Sequence, residues 1–232
     1  MDKFTIVIPV YNEAKNLKIL VPKIYQELKN RKFEIIIVDD NSTDTTSKIL
    51  KKFKKNNFRH IIRKEKRDLS KSCILGFQRS RYNNLIVMDG DLQHKPSDIK
   101  KFLLVSRKSN PDIIVGTRDL FKSNKHNLNI IRLYASRILI LIVKLLLGSK
   151  TSDPMSGFFM LKKKVFMKSQ KKLIKKGYKI LLDLLYNNQK IKVVDVKINF
   201  DNRMKGKSKM SAKILFYLIS MILTKFIIRI FN

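Results

Sequence analysis

Five short apolar runs, rich in Ile and Val and separated by segments of helical length, limit what the first half of this chain can become. They read "FTIVIPV" (4 to 10), "FEIIIVD" (33 to 39), "FRHII" (58 to 62), "NLIVMD" (84 to 89) and "DIIVGT" (112 to 117). A strand buried on both faces has no polar face to display, so it reads as a continuous apolar run rather than an alternating one. Helical spacing fills the gaps at 16 to 30, 44 to 55, 70 to 81 and 96 to 108, the last opened by Pro96, whose missing N–H costs nothing in a first helical turn. This βαβα order predicts a mostly parallel α/β sheet with helices on both faces.

In such sheets ligands gather beyond the carboxyl ends of the strands. The polar clusters fall there: "YNE" (11 to 13), "DDNSTD" (39 to 44), "DGDLQH" (89 to 94) and "GTRD" (116 to 119). Asp89 and Asp91 stand one residue apart, with Gln93 one step further, and three side-chain oxygen donors of this kind suit a hard cation such as Mg²⁺ or Mn²⁺. The same pair also suits a solvated turn. Asp39 and Asp40 end a buried strand, where a carboxylate can accept from a base or ribose. Asp44 reads better as a helix N-cap, and Glu13 serves either a ribose hydroxyl or the helix that follows it. Arg118, Arg132, Arg203 and Lys209 are suitable phosphate partners, although most basic residues in so basic a chain are solvated surface.

Beyond residue 128 the pattern changes. "IIRLYASRILILIVKLLLG" (130 to 148) carries Arg132, Ser136 and Lys144 on one helical face, and a final apolar stretch (214 to 231) is interrupted by Lys225 and Arg229. As a helix the final stretch would reach about 27 Å against a hydrocarbon core of about 30 Å, so two amphipathic helices lying in a membrane interface are expected. The charge agrees with that: 51 Lys plus Arg against 18 Asp plus Glu give +33, which draws the chain to polyanions, although codon bias in an A- and T-rich genome would also enrich Lys. A nucleic-acid-binding role is disfavoured, because no run of aromatics interleaves the basic residues and the acidic loops would repel phosphates. One cysteine, Cys73, excludes an internal disulfide framework and a Cys-rich zinc site, and no secretory signal opens the sequence. Function on the cytoplasmic face of a membrane is expected, with one domain over 1–212 and a C-terminal anchoring helix over 213–232.

The series "IVIPVYNEAKNL", "IIIVDDNSTDTT", "RDLSKSCILGF", "MDGDLQHKPSDI", "GTRD", "SDPMSGFFMLKK" and "FDNRMKGKSKMS" resembles the family 2 glycosyltransferases, and within them the dolichol-phosphate (polyprenyl-phosphate) mannosyltransferase branch. The likeness runs from about residue 4 to 212; "DGDLQH" followed by Arg203 and Lys209 marks the branch. It implies a GT-A fold, with Pro9, Tyr11, Glu13, Val38 and Asp40 around the base and ribose of a sugar nucleotide, usually GDP-mannose. It implies that Asp89, Gly90, Asp91 and Gln93 handle the metal and diphosphate, with Asp89, Asp91 and Gln93 as the ligands. Arg118, Arg203 and Lys209 would close on phosphates, Ser156 and Gly157 would lie near the acceptor, and Arg132 would meet the phosphate of the polyprenyl lipid. A sister activity, moving a hexose from a UDP-sugar to undecaprenyl phosphate, stays open. Two positions depart from the family: Gly90 replaces a usual Ala, expected to loosen the turn, and Asp68 replaces a common Gly. Larger relatives carry transmembrane helices after this region, so a partner membrane subunit, or adhesion by the chain itself, is expected.

Overall fold

The computed structural model describes residues 3–118, 141, 143, 148, 150–174, 179–188 and 190–201. Seven strands form one sheet: β1 (Phe4–Val10), β2 (Phe33–Asp39), β3 (Phe58–Ile62), β4 (Asn84–Val87), β5 (Ile113–Thr117), β6 (Phe159–Lys162) and β7 (Val193–Lys197). Helices α1 (Ala14–Glu27), α2 (Thr46–Leu50), α3 (Leu69–Arg79) and α4 (Ile99–Ser109) alternate with the early strands, and α5 (Lys163–Ser169) and α6 (Ile180–Asn187) follow β6. The order across the sheet is β3-β2-β1-β4-β6-β5-β7.

All five early runs are strands, and every pairing in the sheet that does not involve β6 is parallel. The exception is β6, which lies between β4 and β5 and runs antiparallel to both. β3, at the sheet edge, is only half buried despite its apolar composition. α2 is five residues long where a twelve-residue segment was expected.

Alternate residues of the strands supply two cores. Ile6 and Ile8 of β1 join Leu17, Leu20 and Ile24 of α1 and Phe102 of α4, while Val7, Leu85 and Val87 join Phe77 of α3 and Phe166 of α5 on the opposite face. Full burial of each such side chain is worth roughly 1.5–3 kcal/mol, which is why this two-sided covering fixes the strand register.

Strand order reverses at β1: the chain winds one way through β2 and β3, then crosses to β4 on the other side. Ligand crevices form at such switch points. Here the crevice has a sequence determinant. Val10 C=O bonds towards β2 (to Asp40 N–H), whereas Val7 C=O bonds towards β4 (to Met88 N–H). By this alternation Pro9 faces the β4 side, where pairing has already stopped at Val7 and Val87. A proline inside a central strand therefore costs no ladder bond, and it prevents β1 and β4 from zipping further.

Among the described residues no helix is long and apolar enough to cross a membrane. The expected interface helices at 130–148 and 214–231 lie outside the described residues, apart from Leu141, Val143 and Gly148.

Candidate active site

Three loops at the carboxyl edge contain a non-glycine residue at positive φ: Asn12 (54°) after β1, Asn41 (59°) after β2 and Leu92 (67°) after β4. Asn tolerates that region; Leu does so at a cost of roughly 1–3 kcal/mol. The surroundings hold Leu92 there, since its side chain joins the α1 core and Asp91 Oδ1 accepts the Gln93 N–H at 3.2 Å. The β1 and β2 loops are laced together. Asn12 N–H donates to Ser42 Oγ (2.8 Å), Asn12 Oδ1 accepts from Thr43 N–H (2.8 Å), and Glu13 N–H donates to Thr46 Oγ1 (3.0 Å).

Asp89 stands at the centre of the polar cluster beside the crevice. A Cβ built at Gly157 would lie 2.3 Å from Asp89 Oδ2, so only glycine leaves room for this carboxylate. His94 Nε2 lies 3.5 Å from the same oxygen. Burial would raise the Asp89 pKa, but the His94 contact and the charges of Lys179 and Arg118 outweigh it and hold it below the ordinary value. Arg118 binds Asp153 with both arms of its fork, Nε to Oδ2 at 2.7 Å and an Nη to Oδ1 at 2.9 Å, and its guanidinium lies 5.2 Å from the Phe200 ring centre. Burial would lower its pKa; Asp153, and then Asp89, raise it instead. Lys179 Nζ donates to Met155 C=O at 2.9 Å. Burial, reinforced by Arg118 and only partly opposed by Asp89 and Asp153, brings its pKa down to about 8. Two cations, two carboxylates and one imidazole thus gather at one end of β4.

The carboxylates after β2 are arranged differently. Asp40 is 4% exposed; Oδ1 is paired with Arg63, and Oδ2 accepts the Asp68 N–H at 2.7 Å. Burial still leaves its pKa raised despite Arg63. Asp68 caps α3, accepting the Lys71 N–H at 3.0 Å from an extended backbone (φ −161°), so this position does not need the glycine common in the family. Gly90, by contrast, does more than loosen a turn: a Cβ there would meet Val10 Cγ1 at 2.8 Å.

Other expected residues are placed as follows. Tyr11 lies under the Arg67 guanidinium, 4.6 Å from its ring centre. Glu13 Oε2 accepts from the Asn16 side chain at 2.6 Å and makes no capping bond to α1. Asp44 Oδ1 accepts the Thr46 N–H at 2.9 Å, one residue ahead of the cap position. Pro9 and Val38 are paired across β1 and β2. Gln93 donates its side-chain amide to Asp201 C=O at 3.3 Å. The buried Ser156 hydroxyl donates to Gly116 C=O at 2.7 Å and accepts the Phe158 N–H at 3.1 Å, tying the segment before β6 to β5. Arg132, Arg203 and Lys209 lie outside the described residues. Asp153, Lys179, His94 and Arg63 carry no role legible from the sequence. Asp153 and His94 lie within the motifs "SDPMSG" and "DGDLQH", while Lys179 and Arg63 are two among 51 basic residues without a local mark.

Residues 5–169 match the model of glycosyl transferase family 2. The chain is 35% identical over 217 residues to the dolichol-phosphate mannosyltransferase of Pyrococcus furiosus, covering 92% of this chain and 61% of that protein. It is 30% identical to the dolichol-phosphate mannosyltransferase of Saccharomyces cerevisiae, covering 92% and 83%. Among solved structures, glucosyl-3-phosphoglycerate synthase from Mycobacterium tuberculosis, in complex with Mn²⁺, UDP and phosphoglyceric acid, superposes with a TM-score of 0.75 at 14% identity, over 97% of this chain and 78% of that one. The family model spans most of the chain and relatives at 30–35% identity cover more than nine-tenths of it: the chain belongs to glycosyl transferase family 2.

Proposed function

We propose that the chain transfers a hexose, mannose from GDP-mannose, to the phosphate of a polyprenyl phosphate with inversion at the anomeric carbon. The observation that carries this reading is the cluster around Asp89, set where β1 and β4 part and facing two cations on a glycine-made seat. The named activity of the relatives supplies the substrate class.

The donors fit a divalent cation. Asp89 and Asp91 are hard oxygen ligands, and the missing side chain at Gly157 admits the first carboxylate, with its Oδ2 against the glycine. Gln93 would add its Oε1. Mg²⁺ and Mn²⁺ commonly take one or two protein carboxylates and fill the remaining positions with substrate phosphate oxygens. When bound, such an ion would neutralise charge on the diphosphate.

In one in-line displacement, a phosphate oxygen of the lipid forms the new bond to the anomeric carbon as the bond to the diphosphate oxygen breaks, and GDP leaves. A phosphate monoester, with its second pKa near ~6, is already anionic, so the site needs no strong general base. It must align two polyanions and stabilise the negative charge growing on the leaving group. Arg118, held flat by Asp153, and Lys179, anchored through Met155, supply fixed positive charge for that purpose, and Arg203 and Lys209 would add to it. Tyr11, Glu13, Val38 and Asp40 are assigned to the wall towards the base and ribose, Val38 and Asp40 through the shape they give it rather than by direct contact. Ser156 sets the segment next to Asp89, and Arg132 would receive the lipid phosphate. The basic surface and the apolar segments at 130–148 and 214–231 favour action at a membrane surface, on its cytoplasmic face.

The test is incubation of the purified chain in lipid vesicles with labelled GDP-mannose, UDP-glucose and other sugar nucleotides plus a short polyprenyl phosphate, followed by extraction of labelled lipid. Labelled mannosyl lipid is expected. Label from UDP-glucose alone would assign the sister activity, and no labelled lipid from any donor would refute the reading.

A further inference from the structure

His94 is buried, 2% exposed, and it touches two parts of the molecule that sequence keeps far apart. Its Nε2 faces Asp89 Oδ2 at 3.5 Å. Its ring packs against Phe158 (centroids 5.1 Å) and, edge to face, against Phe200 (5.2 Å). The backbone repeats the connection: His94 and Phe200 form an antiparallel bridge, Asp201 N–H donates to Gln93 C=O at 3.0 Å, and Lys95 pairs with Asp201 at 3.3 Å. Among the described residues Nδ1 has no hydrogen-bond partner.

That last fact fixes where the ring carries a proton. With the proton on Nδ1 alone, a buried N–H would lack an acceptor, and the lone pair of Nε2 would face a carboxylate oxygen. Both cost free energy, whereas a proton on Nε2 turns the same contact into an attraction and leaves only an acceptor unfilled. Asp89 Oδ2 is therefore held between an N–H and the bare Cα of Gly157, which directs Oδ1 elsewhere.

We propose that His94 is the positioning residue of the site: it orients Asp89 for its ligand through Nε2–H while its ring fixes the chain at Phe200. This rests on the reading of Asp89 as a cation and diphosphate ligand. His94 itself touches no substrate. Outer-shell partners of metal-binding carboxylates commonly account for roughly 10–100-fold in metal affinity, and two variants separate the polar function of His94 from its packing. His94→Phe keeps an aromatic ring between Phe158 and Phe200 but removes the N–H; His94→Gln can place an amide N–H near Nε2 but removes the ring.

The experiment measures Mn²⁺ affinity in the presence of GDP by electron paramagnetic resonance, alongside the melting temperature. Wild type is expected to bind Mn²⁺, His94→Phe to bind about tenfold more weakly with its melting temperature nearly kept, and His94→Gln to recover most of the affinity. Wild-type affinity in His94→Phe overturns the proposal. So does equal weakening in both variants that tracks lost stability, which would make His94 a packing residue only. Should His94→Phe fail to fold, His94→Gln decides: a folded protein that has lost Mn²⁺ affinity overturns the proposal. Absence of Mn²⁺ binding by wild type would overturn the cation reading itself, and this inference with it.

Discussion

Gly157→Ala adds one methyl group at the most crowded point of the site. The new Cβ would stand 2.3 Å from Asp89 Oδ2 and 2.9 Å from its Cγ, whereas ordinary contact begins at 3.4 Å, so the carboxylate must retreat by about 1 Å. Gly157 is not among the residues at positive φ, so alanine suits the backbone and the methyl contact is the whole perturbation. A misplacement of ~1 Å in a positioned group can cost about 100-fold in rate, equivalent to roughly 2.7 kcal/mol of lost transition-state stabilisation. Stability should change much less, because Asp89 can turn out of its contacts at the cost of an off-rotamer side chain, about 0.5–1.5 kcal/mol. In a domain of this size that lowers the melting temperature by only about 2–4 °C per kcal/mol. The assay is kcat/KM for transfer from GDP-mannose to a short polyprenyl phosphate, with a thermal melt on the same preparation. A folded Gly157→Ala protein with wild-type kcat/KM would refute the assignment of Asp89, since the only group the substitution displaces would then be dispensable.

Asp91→Ala is expected to abolish transfer, assayed by labelled lipid, and to leave the far-ultraviolet circular dichroism unchanged, because it alters a loop and no core side chain. Lys179, with its pKa near 8 in the fold, should give wild-type kcat/KM a decline as pH rises through about 8, and Lys179→Met should lower the plateau and remove that decline. Because the folded pKa lies below the unfolded value of 10.5, the native state releases this proton first; the destabilisation from burying the charge is complete below about 8 and is relieved as pH rises towards 10.5, so urea midpoints should show Lys179→Met gaining most at neutral pH. Arg63→Met breaks a pair in which both side chains are 5% exposed, so a loss of about 3–5 kcal/mol in urea unfolding is expected, partly restored by adding Asp40→Asn.

The sheet could be read from sequence because strands covered on both faces leave long Ile and Val runs, and the boundaries of β1, β2 and β3 fall where those runs end. β6 is not legible as a strand: its four residues, Phe159–Lys162, sit inside a motif dominated by polar neighbours, and its antiparallel pairing places Met160 opposite Ile86 and Ile114, 74 and 46 residues earlier in the chain. The edge position of β3 was equally hidden, since composition does not say which run lies outermost. In the site, Asp89, Asp91 and Arg118 were legible as polar residues at strand ends. Their partners were not, because Arg118 with Asp153 and His94 with Phe200 join segments 35 and 106 residues apart, and no local pattern encodes such pairings.

Two similar acidic pairs, Asp39–Asp40 after β2 and Asp89–Gly90–Asp91 after β4, end in different physical states. Asp40 has both oxygens engaged by donors of its own chain, Arg63 and the Asp68 N–H, and so it braces the loop from Arg63 to Asp68 that brings Arg67 over Tyr11. Its influence on a bound base or ribose would run through the shape of that wall. Asp89 has one oxygen against His94 and Gly157 and faces the charges of Lys179 and Arg118, a setting that suits a diphosphate once a cation is shared with it. Strand order accounts for the difference. β2 is flanked by β3 and β1, both paired with it in parallel up to Asp39; β4 meets β1 at the reversal, where Pro9 prevents the two strands from zipping further. Among the described residues the chain itself engages both Asp40 oxygens, whereas Asp89 stands at the reversal, the end to which we assign the external ligand.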